Sequence, residues 1–139
     1  MALRLLIADD NPDDALLVVF ALKRAGRAVQ WQRVDDEDGF IRELPSAELV
    51  ICDYCMPRFS PQRALELMRE RGSTTPFLLV SGNVSAAVAS QILLLGAMGV
   101  VMKHQLERLG QAVCDALAGN PSRGPHPLEP GAATPSKCD

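Results

Sequence analysis

The sequence predicts an α/β fold, a doubly wound three-layer sandwich in which a five-stranded parallel sheet lies between layers made from five helices. Three observations predict it. From residue 3 to about residue 118, short strand-like apolar runs alternate with longer segments of helical period, giving five βα units. The interior strand candidates are apolar almost throughout, as strands buried on both faces must be. The length, 139 residues, suits one domain rather than two.

Taken in order, the strands are expected at Leu3–Ala8, Val29–Val34, Leu49–Cys52, Phe77–Val80 and Gly99–Met102. Val29–Val34 carries Gln30, Gln32 and Arg33 and therefore reads as an edge strand. The first helix opens on Asn11 as N-cap, with Pro12 at its first position, Asp13 and Asp14 in its positive first turn, and an end near Gly26. Further helices are expected at Glu37–Leu44, Pro61–Arg71, Ser85–Leu95 and Leu106–Ala118. The acidic run Asp35–Asp38 reads as a solvated helix start. We expect residues 1–119 to form the domain and residues 120–139, which hold five of the ten prolines, to be a Pro/Gly-rich disordered tail. That tail is too short for an effector domain.

Composition excludes several function classes. With 14 Lys+Arg against 17 Asp+Glu the net charge is −3, and the basic residues are scattered, so neither nucleic acid nor a membrane surface is an expected partner. Residues 72–102 carry no charge, but Pro76, Gly82, Asn83, Gly96 and Gly99 interrupt them too often for a membrane span. Four cysteines make no disulfide framework, and no secretory h-region follows Met1, so a reducing, cytoplasmic setting is expected. Cys52 and Cys55 form a Cys-x-x-Cys, yet they lack the second pair or the nearby histidine that zinc requires.

The chemistry gathers where strands stop: Asp9 and Asp10 after the first, Asp53 after the third, Ser81 after the fourth and Lys103 after the fifth. Three carboxylates converging on one sheet edge repel by ~4 kcal/mol per close pair at an effective dielectric of about 20, or roughly three pKa units on one of them. A hard divalent cation offsets this, and an oxygen-only set suits Mg²⁺ better than zinc. A carboxylate, a cation, a hydroxyl and an ammonium are the parts that in-line phosphoryl transfer needs, with Asp53 as nucleophile and Ser81 and Lys103 as donors to the phosphoryl oxygens. Taken alone, Asp9 and Asp10 would read as the cap of the following helix and Ser81 as a turn residue. Their convergence with Asp53 and Lys103 favours the chemical reading.

The acidic pair, Asp53-Tyr54-Cys55-Met56-Pro57, Ser81-Gly82 and Gly96-Ala97 ahead of Lys103 together resemble the receiver domain of two-component response regulators over about residues 3–118. The resemblance implies a flavodoxin-like sheet of order 2-1-3-4-5. It also implies a single-domain regulator that takes a phosphoryl group onto Asp53 from a histidine kinase or histidine phosphotransfer protein. Mg²⁺ would be held by Asp10, Asp53 and the carbonyl of Cys55, with Asp9 acting through water. Ser81 and Lys103 would read the phosphoryl group. No enzymatic activity is expected beyond self-catalysed phosphorylation and dephosphorylation. Output would pass through the fourth helix, fifth strand and fifth helix, to a downstream protein or to a second copy of the chain.

Two departures from the family pattern bear on output. Val100 occupies the position, three before Lys103, that commonly holds a Tyr or Phe switch, and His104 stands where proline is usual. The fourth helix has no charge: Val88, Ile92 and Leu95 form one apolar stripe, Ala89 and Leu93 another, and Leu94 lies elsewhere. Since one stripe faces the sheet, two or three exposed apolar side chains are expected there, Val88 and Leu94 among them, as an interface. These departures support an alternative, a degenerate receiver that binds a protein partner without phosphorylation. A haloacid-dehalogenase-like phosphatase is disfavoured, because Cys55 stands where its general-acid Asp would be.

Overall fold

The structure is a computed structural model and describes residues 2–119; the expected tail at 120–139, with His126 and Cys138, lies outside the described residues. Five strands, β1 (Leu3–Ala8), β2 (Val29–Val34), β3 (Leu49–Cys52), β4 (Phe77–Ser81) and β5 (Gly99–Met102), form one parallel sheet in the order β2-β1-β3-β4-β5. The helices are α1 (Pro12–Arg24), α2 (Glu37–Glu43), α3 (Pro61–Glu70), α4 (Ala86–Leu94) and α5 (Leu109–Leu117). Crossing from β1 to β3 beside β2 places the reversal of strand order at the β1/β3 pair, where Ala8 is in register with Cys52. In sheets of this topology, sites form among the loops that leave the carboxyl ends of two such strands.

Period-two alternation divides the strand side chains between two cores. Leu6, Ala8, Val50, Cys52, Phe77, Leu79 and Val100 pack with Phe40, Leu65, Met68 and Ile92 from α2, α3 and α4. Leu5, Ile7, Leu49, Ile51, Leu78, Val80 and Val101 pack on the other side, with Val18, Leu22, Leu109 and Val113 from α1 and α5. As the continuous apolar runs require, β3 and β4 are buried at every position, whereas β2 alternates down its exposed edge. Helices α1 and α5 pack so closely that a Cβ at Gly110 would come within 2.8 Å of the Cβ of Ala25, which is why a glycine stands there.

Several boundaries differ from expectation, each for a local reason. Strand β4 takes in Ser81, which pairs in register with Met102. Helix α2 stops at Glu43, and Leu44–Ser46 tightens into a 3₁₀ turn around Pro45, which has no N–H to continue the α ladder. The fifth helix starts at Leu109 rather than Leu106. Lys103–Arg108 forms a 3₁₀ segment broken at Gln105 (φ −131°, ψ 40°), and no side chain among the described residues caps the helix that follows. Leu106 still packs toward the α1/α5 core, so its apolar character, the signal that suggested helix, is used without the helix.

The fourth helix corrects the stripe assignment. Its buried residues are Ala89 and Ile92, one from each expected stripe, while Val88, Leu93 and Leu95 are partly buried against the core. Only Leu94, 88% exposed, is a large apolar side chain in solvent on this helix, so the expected patch of two or three shrinks to one. Val100 is 1% exposed and belongs to the core under α4, not to a surface.

Candidate functional site: an acidic cluster around one lysine

The site is assembled by strand ends. Parallel pairing carries the chain out at Ala8 and Cys52 together, and the ladder runs on one step, with the Asp53 N–H donating to the Ala8 carbonyl at 2.8 Å and the Asp9 N–H to the Val34 carbonyl at 3.0 Å. Asp9 and Asp53 are thereby pinned by backbone on the sheet edge, 2% and 6% exposed. Asp10 is exposed beside them, and one carboxylate oxygen from each of the three lies within 4.8 Å of the others.

Where β1 meets α1, Asn11 caps the helix, accepting from the N–H groups of Asp13 (2.9 Å) and Asp14 (3.4 Å). Its own N–H donates to Asp9 Oδ1 at 3.0 Å. Arg33 of β2 donates to the Asp9 carbonyl oxygen at 3.1 Å. From the far side of the sheet Lys103 sends Nζ into the cluster, 3.1 Å from Asp9 Oδ2, 2.8 Å from Asp14 Oδ2 and 3.4 Å from Asp53 Oδ1.

Burial sets the electrostatics. Asp53 has its carboxyl pushed up to about 6, first by loss of solvent and then by the charge of Asp9, against the opposing pull of Lys103. Asp9 is raised by the same loss of solvent, partly offset by the Asn11 N–H and by Lys103. Burial alone would lower Lys103, yet its bond to Asp14 and the charges of Asp53 and Asp9 together hold it above the usual lysine range. The ammonium therefore stays charged among three acids.

The Ser81 hydroxyl is fully buried at the end of β4 and has no hydrogen-bond partner among the described residues. Its neighbour Gly82 approaches Lys103 closely enough that an added Cβ would lie 3.9 Å from Lys103 Cδ. A buried hydroxyl left without a partner costs about 1–3 kcal/mol, a cost tolerated where a ligand oxygen completes the bond.

The donor set fits a hard cation. Asp9, Asp10 and Asp53 offer only oxygen, from a site whose two buried carboxylates gain from added positive charge. The Cys55 contribution implied by the motif would be a main-chain carbonyl, again a hard oxygen. Cys52, in contrast, is a sealed thiol: its Sγ donates to the Asp53 carbonyl at 3.2 Å, and burial, followed by the charges of Asp53 and Asp9, pushes the thiol well up. A thiol so held stays protonated and ligates no metal.

Sequence reasoning brought Asp9, Asp10, Asp53, Ser81 and Lys103 to this edge, and the structure places all five there. It missed two things. Asp14 was read only as a first-turn acid, but it makes the shortest contact to Lys103. Nor was exposed apolar surface on α1 anticipated: Leu17 and Phe20, 51% and 53% exposed, line a groove with Ala21, Lys103, His104 and Leu106. Both residues lie out of phase with the buried stripe Ala15, Val18, Val19 and Leu22, a signal present in the sequence. The candidates Val88, Leu94 and Val100 do not join the site and do not form one patch, being half-buried, exposed and buried.

Comparison with known proteins agrees with this architecture. The family model described as the response regulator receiver domain matches residues 5–114. Regulator of RpoS from Escherichia coli K12 is 38% identical over 72 residues, which are 50% of this chain and 21% of that protein, and the Shigella flexneri protein of the same name matches equally. The match thus spans about a fifth of these relatives' length. Among solved structures, the signal receiver domain of a NarL response regulator from Mycobacterium tuberculosis superposes with a TM-score of 0.72 at 25% identity, covering 86% of this chain and 98% of that one. The isolated receiver domain of RcsB from Salmonella enterica, in the presence of the phosphomimetic BeF₃⁻, gives a TM-score of 0.78 at 20% identity, covering 92% and 96%. The second likeness speaks to the fold alone.

Proposed function

The chain belongs to the response regulator receiver domain family of two-component signalling, and from that premise we propose that it is a phosphorylatable switch with Asp53 as the acceptor. One observation carries the reading: a buried Asp53 carboxylate faces the Lys103 ammonium at 3.4 Å, on the sheet edge where Ser81 holds a hydroxyl without a partner among the described residues.

Asp53 supplies the nucleophile. With its carboxyl near 6 it is largely ionised at pH 7 and can attack phosphorus with an oxygen lone pair. The new Oδ–P bond forms as the bond from phosphorus to the donor's imidazole nitrogen breaks, and the imidazole keeps that electron pair. Lys103 and Ser81 supply N–H and O–H donors to the phosphoryl oxygens. Asp10 and Asp53, with the Cys55 carbonyl and with Asp9 through water, would hold Mg²⁺. Bound there, the ion would neutralise charge developing on the transferred group. The donor would be a histidine kinase or histidine phosphotransfer protein, for which the groove at Leu17 and Phe20 offers an apolar footing beside Lys103. We place the protein in the cytoplasm, acting by protein contact, with no catalysis beyond gain and loss of its own phosphoryl group. Among the described residues, no helix is long and apolar enough to cross a membrane.

The test is incubation with acetyl phosphate and Mg²⁺ followed by intact mass measurement. One phosphoryl adduct is expected, absent from Asp53→Asn. A second reading, a receiver that binds its partner without phosphorylation, is favoured by Val100, which gives no buried aromatic to reorient. Absence of any adduct in the wild type would select it.

A further inference from the structure

The residue that binds Lys103 most closely lies outside the strand-end motif. Nζ is 2.8 Å from Asp14 Oδ2 and 3.1 Å from Asp9 Oδ2, whereas its contact to Asp53 Oδ1 is longer, at 3.4 Å. Asp14 does not reach Lys103 by accident of a mobile side chain. The Asn11 cap fixes its backbone N–H, and the side chain is half-buried, while Asp13 in the same turn faces solvent. An acid that served only the positive end of α1 would gain as much in solvent as Asp13 does.

We propose that Asp14 is a positioning residue that draws Lys103 toward α1 in the resting state and leaves it only the longer, 3.4 Å contact to Asp53, so that capture of a phosphoryl group requires Lys103 to give up Asp14. An ammonium has three N–H donors. Two are committed to Asp9 and Asp14, at shorter distances than the contact to Asp53. Its negative charge also opposes an anionic group arriving on Asp53, without the compensating gain of ligating a cation, since Asp14 is not among the three clustered carboxylates. The inference rests on the receiver reading and adds to it a restraint on activation.

The test is calorimetric titration of the intact chain with BeF₃⁻ at saturating Mg²⁺, for the wild type, Asp14→Asn and Asp13→Asn. Asp14→Asn is expected to bind about three- to tenfold more tightly than the wild type, the scale of one charge acting across a partly buried site. Asp13→Asn is expected to match the wild type. A role confined to the helix terminus would lower the melting midpoint of either variant and leave affinity unmoved. Equal affinity for Asp14→Asn and wild type overturns the restraint but leaves the receiver reading standing, and weaker binding by Asp14→Asn overturns it in favour of Asp14 presenting Lys103. If the wild type itself fails to bind BeF₃⁻, the phosphorylatable reading and the restraint fall together.

Discussion

The molecule holds two clusters built from the same parts, one cation among three carboxylates. At the sheet edge Lys103 meets Asp9, Asp14 and Asp53, and on the helical surface Arg63 meets Glu37 at 2.8 Å, Glu66, and Glu70 at 4.0 Å. The acids respond in opposite directions. Glu37 is held below its usual range by the hydrogen bond from Arg63, while Asp53 is pushed up to about 6. Exposure accounts for the difference, since the Glu37 side chain is 41% exposed and that of Asp53 only 7%. In water an ion pair costs its acids little, so pairing decides the direction; at the sheet edge desolvation outweighs the pairing. The same charges therefore form a surface contact in one place and a reactive centre in the other.

The largest effect should come from breaking the buried cluster. Without metal at pH 7, Lys103→Met should destabilise the fold by about 2–4 kcal/mol, because carboxylates are left buried without their cation. Lowering the pH to about 5 should recover part of this loss as the acids become neutral. Chemical denaturation across that range checks both, and an unchanged stability would place the cluster with the surface pair.

A smaller effect follows from Asp53. Its folded carboxyl, near 6, lies above the ordinary value of 3.8, so folding favours the protonated form. Below about pH 4 both states are protonated and nothing is lost. Between about pH 4 and 6 the unfolded chain releases the proton first, and wild-type stability falls by up to about 3 kcal/mol. Asp53→Asn should therefore be the more stable protein at pH 7 in a chelator, with the gap closing toward pH 4 and on addition of Mg²⁺, as melting curves would record. A gap that widens with falling pH would contradict the sign.

The smallest effect sharpens the contrast. Arg63→Ala should leave the melting midpoint nearly unchanged at physiological salt, with any difference fading as salt is raised, since exposed pairs are screened. A salt-independent loss would show that the Arg63 cluster is not the surface pair its exposure indicates.

How far these sites were legible follows from the kind of signal each residue carries. Apolar runs, continuous at Leu49–Cys52 and Phe77–Val80 and broken only by Arg4 in Leu3–Ala8, announced β1, β3 and β4, as burial on both faces requires. Asn11-Pro12 announced α1 because capping is local chemistry. The strand-end acids and Lys103 were legible because parallel strands deliver all their carboxyl ends to one edge, so position along the chain is enough. The α4 surface was misjudged. Apolar content says nothing of which side chains the sheet accepts, and the packing took Ala89 and Ile92 while leaving Leu94 outside.

By itself, then, the sequence determined the order and nature of the elements, the edge on which Asp9, Asp10, Asp53, Ser81 and Lys103 meet, and the family resemblance their spacing carries, all set by local patterns and by the alternation of βα units. Tertiary structure alone decided that Lys103 bonds Asp14, that Ser81 is left without a partner among the described residues, and that burial pushes Asp53 up to about 6. Those outcomes depend on distances between residues far apart in the chain, Asp14 and Lys103 being 89 positions apart, and on how much water the folded chain excludes around each charge.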